Sequence, residues 1–113
     1  MAIAQVFAGV PVADYVVAIA WYERLFGRPP DVIAHATEAL WQGAGEGWIY
    51  VVGDAERAGH SLLTLMVEDL DDRVAALAER GLVPDETESV PGKYRKATFV
   101  DPDGNRVGFG QTV

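Results

Sequence analysis

Apolar and polar positions alternate along this chain in a pattern that occurs twice. Ile3, Val6, Phe7, Val10 and Val12 alternate loosely and predict a strand over residues 3 to 12, with Pro11 favouring an edge or a bulge. Asp14 offers an N-cap to a helix from Tyr15 to about Phe26, which Gly27 and then Pro29-Pro30 stop. A weak strand over 32 to 41 leads through Gly43-Ala44-Gly45-Glu46-Gly47 into a hairpin ending near Val52. Residues 53 to 59 are polar and loop-like. The pattern then restarts. Leu62 to Val67 is a strand, Asp69 a second cap, and Leu70 to Arg80 a helix with Gly81 just past its end. Val83-Pro84 opens a short strand, and Glu86 to Lys96 reads as a loop around Pro91-Gly92. A last hairpin spans Phe99 to Gly110, its centre Asp101-Pro102-Asp103-Gly104-Asn105 being turn chemistry.

Sliding one hairpin onto the other sets Trp41 on Phe99 and Tyr50 on Gly108, and Val12-Ala13-Asp14-Tyr15 aligns with Val67-Glu68-Asp69-Leu70. Each half is therefore strand, helix, then three strands. The expected fold is α+β, with two tandem βαβββ modules at about 1–53 and 60–113 making one domain of residues 1–113. Without the repeat, a ferredoxin-like fold is the alternative. The second helix has a narrow apolar stripe of Leu70, Val74, Leu77 and Ala78, as for a helix lying on a sheet. The first is apolar without a break from Tyr15 to Tyr22, so both its faces call for cover and a homodimer is expected.

Composition narrows the chemistry. Half of the 113 residues are apolar, and none is cysteine, which removes disulfides, thiolate nucleophiles and thiolate metal sites. The net charge of −8 argues against a nucleic-acid partner. No segment is long and apolar enough for a membrane span, no leader pattern opens the chain, and a cytoplasmic location is the default expectation. His35 and His60 are the only histidines, and no carboxylate is spaced to pair with His60. Strand alternation would turn His35 and Glu38 to opposite faces. Asp69, Asp71 and Asp72 bunch at a helix start, where the dipole accounts for them. The glycines of 43–47 lead no helix and form no phosphate loop.

Val10-Pro11-Val12-Ala13-Asp14, Ala20-Trp21-Tyr22-Glu23-Arg24-Leu25-Phe26-Gly27, Val67-Glu68-Asp69-Leu70 and Phe99-Val100-Asp101-Pro102-Asp103-Gly104-Asn105 follow one another across essentially the whole chain. In that order they resemble the vicinal oxygen chelate superfamily of glyoxalases, bleomycin-resistance proteins and extradiol dioxygenases. The resemblance implies mixed sheets curved around a cavity, with helices on the convex side. It also implies four concave positions that supply metal ligands in the metal-using members. Here those positions carry Phe7, Tyr50, Leu62 and Gly108, the last where Glu normally follows the Asp-Pro-x-Gly turn. None suits a divalent cation, so no metal and no other cofactor is expected.

If Tyr50 and Gly108 face the cavity, alternation brings Trp48 with them, and pairing across the hairpins brings Trp41 and Phe99. With Phe7, Leu62 and Met66 this makes an aromatic-lined hollow. Gly108 and Gly110 leave space beside the rings, and Tyr94, in the Pro91-Gly92 loop, closes the opening. The resulting expectation is a metal-independent binder of a small aromatic or cationic molecule, with no catalytic residue, similar to the bleomycin-resistance branch. The rival readings are a lyase, isomerase or dioxygenase-like enzyme using His60, Tyr94 or Glu38 for acid–base work, and a dimer whose hollow is merely filled.

Overall fold

Helix α1 (Tyr15–Phe26) begins and ends where its sequence says. The Asp14 carboxylate accepts from Val17 N at 3.2 Å, and Gly27, at φ +74°, closes the other end by donating to Glu23 O. The computed structural model describes residues 2–113. Before α1 stands β1 (Val6–Val12), and after it β2 (Val32–His35), β3 (Glu38–Gln42) and β4 (Gly47–Gly53). The second half repeats the series with β5 (Leu62–Met66), α2 (Leu70–Glu79), β6 (Glu86–Val90), β7 (Tyr94–Val100) and β8 (Arg106–Thr112). Each half makes its own four-stranded mixed sheet, in the orders β1-β4-β3-β2 and β5-β8-β7-β6, with the first strand parallel to the last. The tandem βαβββ arrangement is thus observed.

Three local expectations need correction. Residues 32 to 41 are two strands joined by a tight turn at Ala36-Thr37, with Thr37 N donating to His35 Nδ1 at 3.3 Å. His35 and Glu38 consequently face each other across that turn, 3.3 Å apart, rather than lying on opposite sides of one strand. Residues 86–90 form β6 instead of a loop, since Thr87 and Val90 suit a strand and β7 supplies its hydrogen bonds. Asp69 makes no capping bond; the Gln111 side chain accepts from Leu70 N at 3.1 Å in its place.

Both long hairpins close on a pair of residues four apart. Gly43 bonds Gly47, and Asp101 bonds Asn105, leaving three-residue loops in which Gly45 (φ +54°) and Gly104 (φ +100°) take the left-handed backbone. That parity sets everything outward. Trp41 pairs with Ile49 and Leu40 with Tyr50, while Phe99 pairs with Val107 and Thr98 with Gly108. The pairing expected for Trp41 and Phe99 is therefore off by one residue, and a slip of one turns a side chain to the other face.

One face of each sheet packs under the helices. Val10, Val12, Ala39, Trp41, Ile49 and Val51 meet Ala18, Trp21, Tyr22 and Leu25 in the first half, and Ala97, Phe99, Val107 and Phe109 meet Leu70 and Leu77 in the second. A buried polar latch joins the halves. Asp101 accepts from Tyr22 OH (2.8 Å), from the Asn105 amide Nδ2 (2.8 Å) and from the backbone N–H groups of Asp103 and Asn105. Asn105, fully buried, also donates to Pro11 O at 2.8 Å and accepts from Ser61 N at 2.9 Å. The Asp-Pro-Asp-Gly-Asn turn of the second half is thereby tied to the first strand and helix.

Candidate open-face binding site

The faces turned away from the helices do not look like solvent faces. A sheet covered on one side ordinarily alternates apolar inward and polar outward. On the open face of the first sheet stand Phe7, Trp48 and Tyr50, brought side by side by the pairing Phe7–Trp48 and Gly9–Tyr50. Phe7 is 49% exposed and its ring lies nearly parallel to the Trp48 indole, with centroids 6.1 Å apart. Tyr50 reaches across Gly9, where a methyl group would stand 2.5 Å from the phenol ring. Trp48 Nε1 is shielded from solvent and donates to no group among the described residues.

The open face of the second sheet carries Leu62 and Met66, 82% and 57% exposed, with Thr64 between them. Gly108 lies on the same face, paired with Thr64 and Thr98. The space expected beside Gly108 and Gly110 is largely taken. The Lys96 stem crosses Gly108, its Cε 2.6 Å from where a methyl would sit, and Met66 Sδ covers Gly110 in the same way at 2.9 Å. What remains is three shallow hollows. One, of about 260 Å³, lies among Met66, Tyr94, Lys96 and Gly110; a second, of about 150 Å³, lies among Leu62, Lys96, Thr98 and Gly108; and a third, of about 470 Å³, lies among Glu86, Glu88, Lys96 and Thr98.

Of the residues expected at the site, the fold brings Phe7, Trp48 and Tyr50 together on one open face, and Leu62, Met66, Tyr94 and Gly108 on the other. Tyr94 belongs to β7 rather than to the Pro91-Gly92 loop, and its hydroxyl donates to Glu88 at 2.9 Å; that bond to a carboxylate raises its phenol above the usual range. Trp41 and Phe99 are on the helix faces, both buried. Trp41 packs on Phe26 and donates from Nε1 to Arg28 O at 3.0 Å. It also lines a separate cleft of about 470 Å³ between the halves, with Ile49, Leu65 and Phe109. Lys96 lies on the open face of the second sheet too, but in the sequence Pro91-Gly92 makes 86–96 read as loop. Its spacing of two from both Tyr94 and Thr98 is the signal that puts all three on one face.

The acid–base groups of the enzyme reading do not converge. His60 is exposed ahead of β5, Glu38 is engaged with His35, and Tyr94 with Glu88. The four positions that the family resemblance marks for metal ligands offer a phenyl, a phenol, an isobutyl group and no side chain. A lysine stem lies over the last of them. Among the described residues, no three His, Cys, Asp or Glu side chains gather. This donor set does not fit a divalent cation. No helix is long and apolar enough to cross a membrane.

Residues 3–109 match the family described as the Glyoxalase/Bleomycin resistance protein/Dioxygenase superfamily. The crystal structure of a glyoxalase/bleomycin resistance protein from Catenulispora acidiphila DSM 44928 is 42% identical, covers 95% of this chain and 96% of its own, and superposes with a TM-score of 0.91. TnmS3, an antibiotic-binding protein from Streptomyces sp. CB03234, is 29% identical over 100% of this chain and 99% of its own, with a TM-score of 0.76. A lactoylglutathione lyase from Agrobacterium tumefaciens, 16% identical over 96% and 92% with a TM-score of 0.74, shares the fold. No curated protein sequence matches the chain.

Proposed function

We propose that this chain, which belongs to the Glyoxalase/Bleomycin resistance protein/Dioxygenase superfamily, binds a small flat aromatic molecule on the open faces of its sheets, without a metal and without converting it. The observation that carries the reading is the apolar, aromatic character of faces that a free sheet would make polar, with Phe7, Leu62 and Met66 exposed at strand positions beside Trp48 and Tyr50. Flat rings stack on such walls, and each contact contributes about 0.5–1.5 kcal/mol beyond area burial. A cationic ligand is the other form of the reading, favoured at long range by the net charge of −8 and at contact by the aromatic faces. The antibiotic-binding and bleomycin-resistance descriptions of the two structural neighbours support sequestration as the role.

Tryptophan-fluorescence titration tests this, with flat neutral aromatics and cationic dyes at low and high salt. Saturable quenching is expected, salt-sensitive for the dyes alone. Calorimetry with zinc, nickel, manganese and iron should show no stoichiometric uptake. One metal held per chain at micromolar affinity would overturn the metal-independent part.

The site is proposed to be completed by a second copy. Each open face is one wall without an opposite, and α1 leaves Val16 75% and Val17 52% exposed, a further apolar surface to cover. Light scattering should return twice the monomer mass. Val17→Glu should shift the protein toward monomer or aggregate, whereas Asp72→Lys on the exposed side of α2 should not. A monodisperse wild-type monomer at high concentration would refute the dimer.

A further inference from the structure

The open face of the second sheet is not only apolar. Four charged side chains lie across it. Glu86 and Arg106 pair with each other, and Glu88 accepts from Tyr94 OH, a neutral donor. Lys96 stands on β7 directly across from Glu88, half-buried, and has no ion-pair partner among the described residues. Its stem is held rather than free, because Gly108 provides the groove in which its methylenes lie. All three hollows on this face are bounded by Lys96, with Lys93 lining the one beside Met66, and Glu86 and Thr98 lining the other two.

A strand-centre lysine that only served solubility would reach into water from an edge. This one is laid flat along an apolar wall between Leu62 and Met66, an arrangement that keeps the stem in contact with apolar groups and delivers the ammonium to the hollow. We infer that Lys96 selects, among flat aromatic molecules, those carrying an anionic oxygen such as a carboxylate or an acidic phenol. The aromatic body lies on the open-face wall and the anionic group meets the Lys96 ammonium in a charge-assisted hydrogen bond. This rests on the open-face reading above and deepens it: Lys96 is a cation without an ion pair that borders every hollow on this face.

The test uses 2-naphthoate and its neutral isostere 2-naphthamide, titrated calorimetrically into the full-length protein and two variants. Lys96→Met keeps a flexible stem over Gly108 and removes the charge; Lys96→Arg keeps the charge. Wild type should prefer the naphthoate, and Lys96→Met should lose about tenfold or more for it while holding naphthamide within about twofold, with Lys96→Arg retaining the preference. Circular dichroism confirms that each variant is folded. Equal binding of both probes by wild type, unaltered in Lys96→Met, would overturn the role of Lys96 and leave the open-face reading standing. A preference for naphthoate that survives in Lys96→Met would also overturn it. Binding of neither probe by wild type would bring down the open-face reading itself, and this inference with it.

Discussion

Asn105→Ala is expected to destabilise the protein by about 3 kcal/mol or more, lowering the thermal midpoint by roughly 10–15 °C. The reason is the number of partners stranded at once. The Asn105 side chain donates to Pro11 O and to Asp101 and accepts from Ser61 N, at 2.8–2.9 Å, in a fully buried position. Its removal leaves a backbone carbonyl, a backbone amide and a carboxylate without those bonds, and each buried orphan costs about 1–3 kcal/mol. Asn105→Asp should be no better, since it sets a second carboxylate against Asp101. Chemical denaturation followed by far-ultraviolet circular dichroism measures the loss, and a change below about 1 kcal/mol would show that the latch does not hold the halves together. The same network has an alkaline signature. Burial first, and then the Asp101 charge, raise the Tyr22 phenol far above its ordinary value of 10.0. Its contribution to stability is therefore complete below about pH 10 and is lost as pH rises beyond it, where the unfolded chain ionises and the folded one does not. Tyr22→Phe should flatten that part of the pH profile.

Much of the fold was legible because local signals carried it. Asp14 and Gly27 delimit α1 to the residue, and the repeat of Val-x-Asp followed by a helix announces two like modules before any contact is known. The faces were less legible, for a definite reason. Which side of a sheet Trp41 or Phe99 takes depends on whether the hairpin closes on residues four or five apart, and glycine-rich turns permit either. Phe7, Trp48 and Tyr50 were grouped correctly because alternation along β4 and its parallel pairing with β1 do not depend on that turn. Lys96 is hard to place from the sequence because Pro91-Gly92 makes the whole of 86–96 look like loop, although Thr87, Val90 and Thr98 are strand-forming residues on either side of a short turn.

Trp48→Ala is expected to weaken binding of a flat aromatic probe about 10- to 100-fold, equivalent to roughly 1.5–3 kcal/mol. The indole is the largest ring on the open face of the first sheet. Phe7 holds it at 16° from parallel, so it meets a ligand without losing rotamer freedom on binding. Trp48→Phe keeps a stacking ring and should therefore recover most of the affinity that Trp48→Ala loses. Trp41 supplies the contrast. It is buried on the helix face and lines the cleft between the halves, so Trp41→Phe should leave open-face binding unchanged. If instead Trp48→Ala binds as wild type does and Trp41→Phe loses affinity, the ligand lies between the modules, against Ile49, Leu65 and Phe109, and the open sheets serve association alone.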